Sequence, residues 1–331
     1  MEDWYSKKSI PEILTEIIKS LGIKEVQVEE ILSYDYLENP NNTIYGLIFC
    51  SQYIKNLSYI PNILSHWDKD LFFSKRIYEN TSAIQSIISI LFNNEDKIDI
   101  GPNLKELKIY MNDLDPVTRG ITLANNEKIK NEQNKFLNKD IIPKELIDNE
   151  GDDIYNFISF IHFKNAIYEL DGLQEGPILI ENNVEFKDWT KKIKNTIIQK
   201  INFLANNEMK FNLMVLIPDK LEELKTKKDL LISQKNFIEE KIKGNNIISK
   251  EFEELNGMNT EQLKEKLQKI EIEIEESNNG INIEKMKINK YKEENEKRQH
   301  NYTGFIFELI KMMGEKGIFQ EVYKQSLNEQ K

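Results

Sequence analysis

The sequence predicts a mixed α/β domain of the α+β kind followed by a helical extension, and three observations carry that expectation. First, Ile84, Ile87, Ile88 and Leu91 recur at i, i+3, i+4 and i+7, the stripe of a helix that faces a core. Second, apolar runs at 43–53, 154–163 and 211–217 have the length and the β-branched and aromatic content of strands. Third, beyond Pro218 the apolar residues thin into single stripes set among Lys and Glu, the pattern of paired helices.

At the start of the domain, Ile10, Ile13, Leu14, Ile17, Ile18 and Leu21 form one helical face, and Pro11 occupies a first-turn position where its missing N–H is harmless. Residues 26–31 and 43–53 read as strands. The Ile-Tyr-Gly-Leu-Ile-Phe-Cys run within the second is too apolar for a sheet edge, and it makes Cys50 a small buried hydrophobe rather than a reactive thiol. Residues 54–70 read as irregular. A buried helix then starts near Ser82, with Asn80, Thr81 and Ser82 as candidate caps. Helical patterns follow at 104–114 and 117–124, and the polar, charged stretch at 127–153 has the composition of a mobile loop.

Lys164-Asn165 is a turn pair between two strand-like runs, so 154–170 reads as an antiparallel hairpin. With Phe163 opposite Ala166, Asp171 falls opposite Ile158, and Asn156 lies one diagonal step along on the same face, about 7–8 Å away between α-carbons. The side chains of Asn156 and Asp171 can therefore meet. Residues 189–204 then read as a helix and 211–217 as a buried strand closed by Pro218, which puts the domain boundary near residue 220.

Composition narrows the function. The chain has 331 residues, a net charge of −11 and one cysteine, so no internal disulfide can form and a reducing compartment is expected. Residues 221–331 carry 20 Lys and Arg against 22 Asp and Glu, which concentrates the negative charge in residues 1–220. An acidic body disfavours nucleic acid and suits a basic protein partner. Three scattered histidines and one cysteine make no ligand cluster, and no phosphate-binding glycine loop is present, so neither metal nor cofactor is expected. No stretch is apolar enough to act as a signal sequence or a membrane span, which gives a cytoplasmic or nuclear expectation.

The stretch from Arg76 to Phe92 resembles the nucleophile helix of the ubiquitin carboxyl-terminal hydrolases, which opens on a pattern of the type Gln-x-x-x-Asn-x-Cys-Ala-x-Gln. Asn80, Ala83 and Gln85 match it. Ser82 falls on the catalytic cysteine and Arg76 on the glutamine of the oxyanion hole. The run from Tyr168 to Ile178 matches the family's aspartate-containing stretch and keeps the orienting acid as Asp171, whereas Asn156 takes the position of the histidine base. Phe211 to Met214 matches the family's last strand. Lys290-Tyr291-Lys292 and His300-Asn301-Tyr302 are similar to motifs of the proteasome-associated long form, so the resemblance spans nearly the whole chain. It implies a papain-like hydrolase domain with a central antiparallel sheet over residues 1–220, a crossover loop near 127–153 lying over the cleft, and an extension at 221–331. Ubiquitin is the implied partner of the first part. The regulatory particle of the proteasome, met through the helical adaptor of a ubiquitin receptor, is that of the second.

The chemistry at these positions opposes the family's reaction. A thiol is partly ionised near neutral pH, whereas a serine hydroxyl needs a general base more, and an asparagine amide does not accept a proton there. His162 has the parity of Asn156 but lies six residues along the strand, about 20 Å away. His66 and His300 match no catalytic position. Arg76 could fill the cleft, pair with Asp171 or donate to an oxyanion. The expectation is a catalytically impaired or inactive homologue that binds ubiquitin or the proteasome; the competing reading is an active deubiquitinating hydrolase.

In the extension, Leu263, Leu267, Ile270 and Ile274 have coiled-coil spacing, and Phe305, Leu309, Met312 and Met313 form a second apolar face. Both stripes are docking candidates, with Phe305, Leu309 and Met312 as the partner-binding residues. The simplest alternative is a closed hairpin in which the stripes bury each other. Asn278-Asn279-Gly280 reads as a break between the helices.

Overall fold

A computed structural model describes residues 11–52, 62–78, 81–136, 155–206, 210–245 and 247–329. In chain order the elements are α1 (Pro11–Ser20), β1 (Val26–Glu30), β2 (Gly46–Gln52), α2 (Ser82–Phe92), α3 (Gly101–Met111), α4 (Pro116–Ala124) and α5 (Glu127–Asn134). There follow β3 (Tyr155–Phe163), β4 (Ala166–Leu170), β5 (Ile178–Asn182), α6 (Trp189–Asn206) and β6 (Phe211–Pro218). The extension holds α7 (Lys220–Ile242), the single turn α8 (Glu253–Asn256), α9 (Thr260–Gln299), α10 (Thr303–Glu315) and α11 (Phe319–Glu329).

The six strands form one antiparallel sheet in the order β1-β6-β2-β3-β4-β5. The apolar run of 43–53 thus becomes an interior strand, flanked by β6 and β3. Period-two alternation divides its side chains between two cores. Ile48 and Cys50 join α1 and α2 on one face, with Ile17, Ile87, Leu91 and Met214. Leu47 and Phe49 join α6 on the other, with Trp189, Ile193, Ile197 and Val215. A helix with an apolar residue every fourth position suits that second face, since it presents one stripe to a flat sheet.

The hairpin has the register read from the sequence, with Phe163 opposite Ala166 and Ser159 opposite Leu170. Its turn residues Lys164 and Asn165 both have positive φ, 43° and 63°, as a two-residue turn matched to strand twist requires.

Four expectations change. Every residue of α2 is buried, not one stripe of it, because the sheet covers one side and the segment Phe72–Arg76 with α4 covers the other. The predicted loop at 127–153 begins as a helix, α5, capped by Asn126 on the N–H of Ile129; residues 137–153 lie outside the described residues. The predicted break at Asn278-Asn279-Gly280 is continuous helix within α9, where Gly280 lets α7 approach: an added Cβ would stand 3.3 Å from Leu224. The Leu263–Ile274 stripe does not face solvent. Leu263 and Ile270 pack with Leu231 and Ile238 of α7 and with Phe252 and Leu255, so this stripe closes an internal hairpin and leaves nothing there for a partner.

A polar joint ties the extension to the sheet edge. Glu29 of β1 accepts from Lys220 at the start of α7 and from Lys287 of α9 at 2.5 Å, while Asn295 of α9 donates to Glu16 of α1 at 2.5 Å. Burial works against the Glu29 charge, but the two lysine hydrogen bonds outweigh it and hold the carboxyl below its ordinary range.

Candidate active site cleft

Ser82 is the first residue of α2 and only 5% exposed. Thr81 holds the N-cap position, yet its hydroxyl donates to the Tyr78 carbonyl at 2.8 Å and makes no capping bond. The cap expected of Thr81 is therefore not made, and Asn80 lies outside the described residues. Unpaired N–H groups and the helix dipole leave positive partial charge at this end.

The segment before the helix is pinned from two sides. Gln85 donates to the Ser74 carbonyl at 2.8 Å, to the Ser74 hydroxyl at 2.7 Å and to the Lys75 carbonyl at 2.9 Å. Arg119 of α4 donates to the Phe73 carbonyl at 3.2 Å. Next along, the Arg76 N–H donates to the Gly172 carbonyl at 2.8 Å, a contact so close that a Cβ on Gly172 would stand 2.9 Å from that nitrogen. Gln85 and Gly172 thus set where Arg76 sits. In the sequence both were visible only as motif matches, because their partners lie on other elements.

From Arg76 a polar relay crosses the cleft. Its Nη1 donates to Asn156 Oδ1 at 3.0 Å, and Asn156 Nδ2 donates to Asp171 Oδ1 at 3.3 Å. Asp171 is buried just beyond β4, where it also accepts from the Leu173 N–H at 3.0 Å and from Gln174 Nε2 at 3.2 Å. The carboxylate thereby orients the asparagine, amide toward itself and carbonyl toward the guanidinium. Arg76, Ser82 and Asn156 line one cleft with Phe73, Ser74, Gln85, Ser86, Ser89, Phe157, Leu170 and Gly172. The four residues singled out in the sequence converge, whereas Phe305, Leu309 and Met312 sit on α10, outside the cleft.

No thiol or imidazole is among the described cleft-lining residues. Cys50 lies on β2 directly opposite Phe157 of the cleft wall, but burial pushes its thiol up to about 12. His162 is held at the far end of β3 by the Val184 carbonyl, 2.7 Å from Nε2, and against the Phe186 ring. His66 is exposed beside Ser65, and His300 ends α9. Among the described residues no group of three or more His, Cys, Asp or Glu side chains could hold a metal ion.

Residues 4–202 match the family described as ubiquitin carboxyl-terminal hydrolase, family 1, and residues 274–318 match a second region described as ubiquitin carboxyl-terminal hydrolases. The chain belongs to the ubiquitin carboxyl-terminal hydrolases. Among similar members of this hydrolase family, the isozyme L5 of Dictyostelium discoideum is 32% identical over 332 residues, covering 98% of this chain and 95% of its own. The hydrolase ubh-4 of Caenorhabditis elegans is 31% identical over 320 residues, covering 95% and 88%. Trichinella spiralis UCH37, solved bound to ubiquitin vinyl methyl ester, is similar in fold with a TM-score of 0.57 and 26% identity, over 83% of this chain and 99% of that one. The likeness to these hydrolases includes the extension, and the second matched region spans the latter half of α9 and all of α10.

Proposed function

We propose that this hydrolase homologue holds ubiquitin without cleaving after its C-terminal glycine. The observation that carries the reading is the cleft chemistry: the Ser82 hydroxyl stands at the helix start with asparagine and arginine across from it and, among the described cleft-lining residues, no base to take its proton. Loss of nucleophile or base alone lowers turnover on the order of a million-fold in a serine hydrolase triad. Ubiquitin as ligand is supported by the family and by the ubiquitin-bound relative of the same fold. The test is incubation with a fluorogenic ubiquitin C-terminal amide. No turnover above buffer is expected, and turnover that Ser82→Ala abolishes would establish the active hydrolase instead.

The second half of the reading is the partner. No residue of α10 is buried, and Phe305, Phe307, Leu309 and Met312 stand out from it, with Phe305 66% exposed. Burying apolar side chains of this size contributes roughly 1.5–3 kcal/mol each before entropic losses, so this face is built to be covered. We assign its cover to a helical adaptor on the regulatory particle of the proteasome, in cytoplasm and nucleus. Phe305→Asp/Leu309→Asp should release the protein from proteasomes in a pull-down while its thermal unfolding is unchanged. Co-purification at wild-type yield would remove the partner.

A further inference from the structure

The cleft has features that peptide hydrolysis does not call for. Its only described cation is Arg76, at the position where the relatives' pattern puts a neutral glutamine. A permanent charge there distinguishes a full anion from an amide carbonyl, which a neutral donor does far less. The α2 N-terminus adds a second source of positive potential on the same side.

A third and independent feature is the Ser82 hydroxyl. The residue is 5% exposed, faces the cleft, and among the described residues its hydroxyl has no hydrogen-bond partner. Its oxygen is not among the fully buried unpaired atoms, so it opens to the cleft and is placed to donate to whatever enters. A nearby negative charge among the described residues is Asp171, which its neutral donors stabilise rather than cancel. It is already engaged by Asn156, by the Leu173 N–H and by Gln174, and Asn156 stands between it and Arg76.

We infer that the cleft is a receptor for the free α-carboxylate of a C-terminal glycine, the end that ubiquitin bears when it is conjugated to nothing. This rests on the reading that the domain holds ubiquitin without turnover. The Arg76 guanidinium and the Ser82 hydroxyl meet the carboxylate at the α2 N-terminus, and Asn156, locked by Asp171, fixes the guanidinium. Phe73, Phe157 and Leu170 wall the cleft beside these polar groups. An enzyme that bound its acid product this way would be slow to release it; a protein that senses unconjugated ubiquitin gains selectivity from the same contact. Conjugated ubiquitin, whose last carbonyl is an amide, offers the cation no charge.

The test compares ubiquitin with ubiquitin whose C-terminal carboxylate is amidated, by titration calorimetry on the full chain. The acid should bind at least about tenfold more tightly than the amide, a difference of about 1.4 kcal/mol. Arg76→Gln should abolish the preference for the acid over the amide, with unfolding by circular dichroism verifying that the variant is folded. Equal affinities for acid and amide in the wild type would overturn the carboxylate receptor while ubiquitin binding stands. A separate titration with glycylglycine and its amide, read from the thermal unfolding midpoint, isolates the cleft from the rest of the ubiquitin surface. Stabilisation by the dipeptide acid alone, with no ubiquitin binding, would keep the receptor and discard ubiquitin as its ligand; absence of any acid preference in both titrations would discard the receptor.

Discussion

Two helices of similar length and strongly apolar composition meet opposite fates in this molecule. All eleven residues of α2 are buried, whereas none of the thirteen of α10 is. The first is enclosed by a sheet on one side and by Phe72–Arg76 and α4 on the other; Gln85 is committed to Ser74 and Lys75, Ser86 to its own helix and the C-cap Asn93 to Phe72, while Ser82 opens to the cleft. The second touches little beyond α11, its neighbour in sequence. An apolar helix is thus no index of a core; what decides is whether the chain supplies the surrounding surfaces. In α2 the chain itself supplies every surface the helix needs. In α10 the apolar face is left open to solvent.

The most drastic way to sharpen this contrast is chemical. If the scaffold around α2 is intact, the triple substitution Ser82→Cys/Asn156→His/Arg76→Gln restores nucleophile, base and neutral oxyanion donor, and turnover of a fluorogenic ubiquitin amide should rise by several orders of magnitude over wild type. No gain would mean that the cleft has changed in shape as well as in residues. Next in size is stability. Ile87→Ala in α2 opens a cavity at a fully buried position and should cost about 2–5 kcal/mol in urea unfolding, while Phe305→Asp in α10 should stay within about 0.5 kcal/mol. A large loss for Phe305→Asp would show that α10 packs in the free protein and would break the comparison.

Gln85→Leu tests whether the polar ring around α2 holds the cleft. It strands the Ser74 and Lys75 carbonyls and should lower stability by about 1–3 kcal/mol. The smallest effect concerns pH. Glu169, on β4, is buried beside Lys200 at 2.9 Å, and burial raises its carboxyl above the ordinary 4.5 despite that lysine. The neutral acid is favoured in the folded state, so its contribution is full below 4.5 and is lost as pH rises through the folded value. Glu169→Gln should flatten that decline in a pH series of unfolding midpoints; an unchanged slope would exclude Glu169 as its source.

Much of the site was legible because it depends on local rules. A two-residue turn at Lys164-Asn165 determines the hairpin register, and the register alone brings Asn156 to Asp171. The start of α2 follows from its apolar spacing. What escaped depends on contacts between distant segments. The strand β5 is five residues after Pro177, too short to separate from loop, and it exists because β4 offers an edge to pair with. The helix of α9 runs through Asn278-Asn279-Gly280 because α7 packs there, and tertiary contact outweighs the low helix propensity of those residues. The Leu263 stripe was readable as a seam, but the identity of its mate required the structure.

Glu29 gives the molecule a mechanical property. One carboxylate on the outermost strand is gripped by lysines from two different helices, so it acts as the pin of a joint between a globular body and a long arm. α9 alone is 40 residues, about 60 Å of rod. The pin is ionic, so raised salt weakens its exposed portion, while the buried Ile281 of α9 adds an apolar contact nearby. A load on the arm is thus passed to the sheet through one edge strand and one carboxylate.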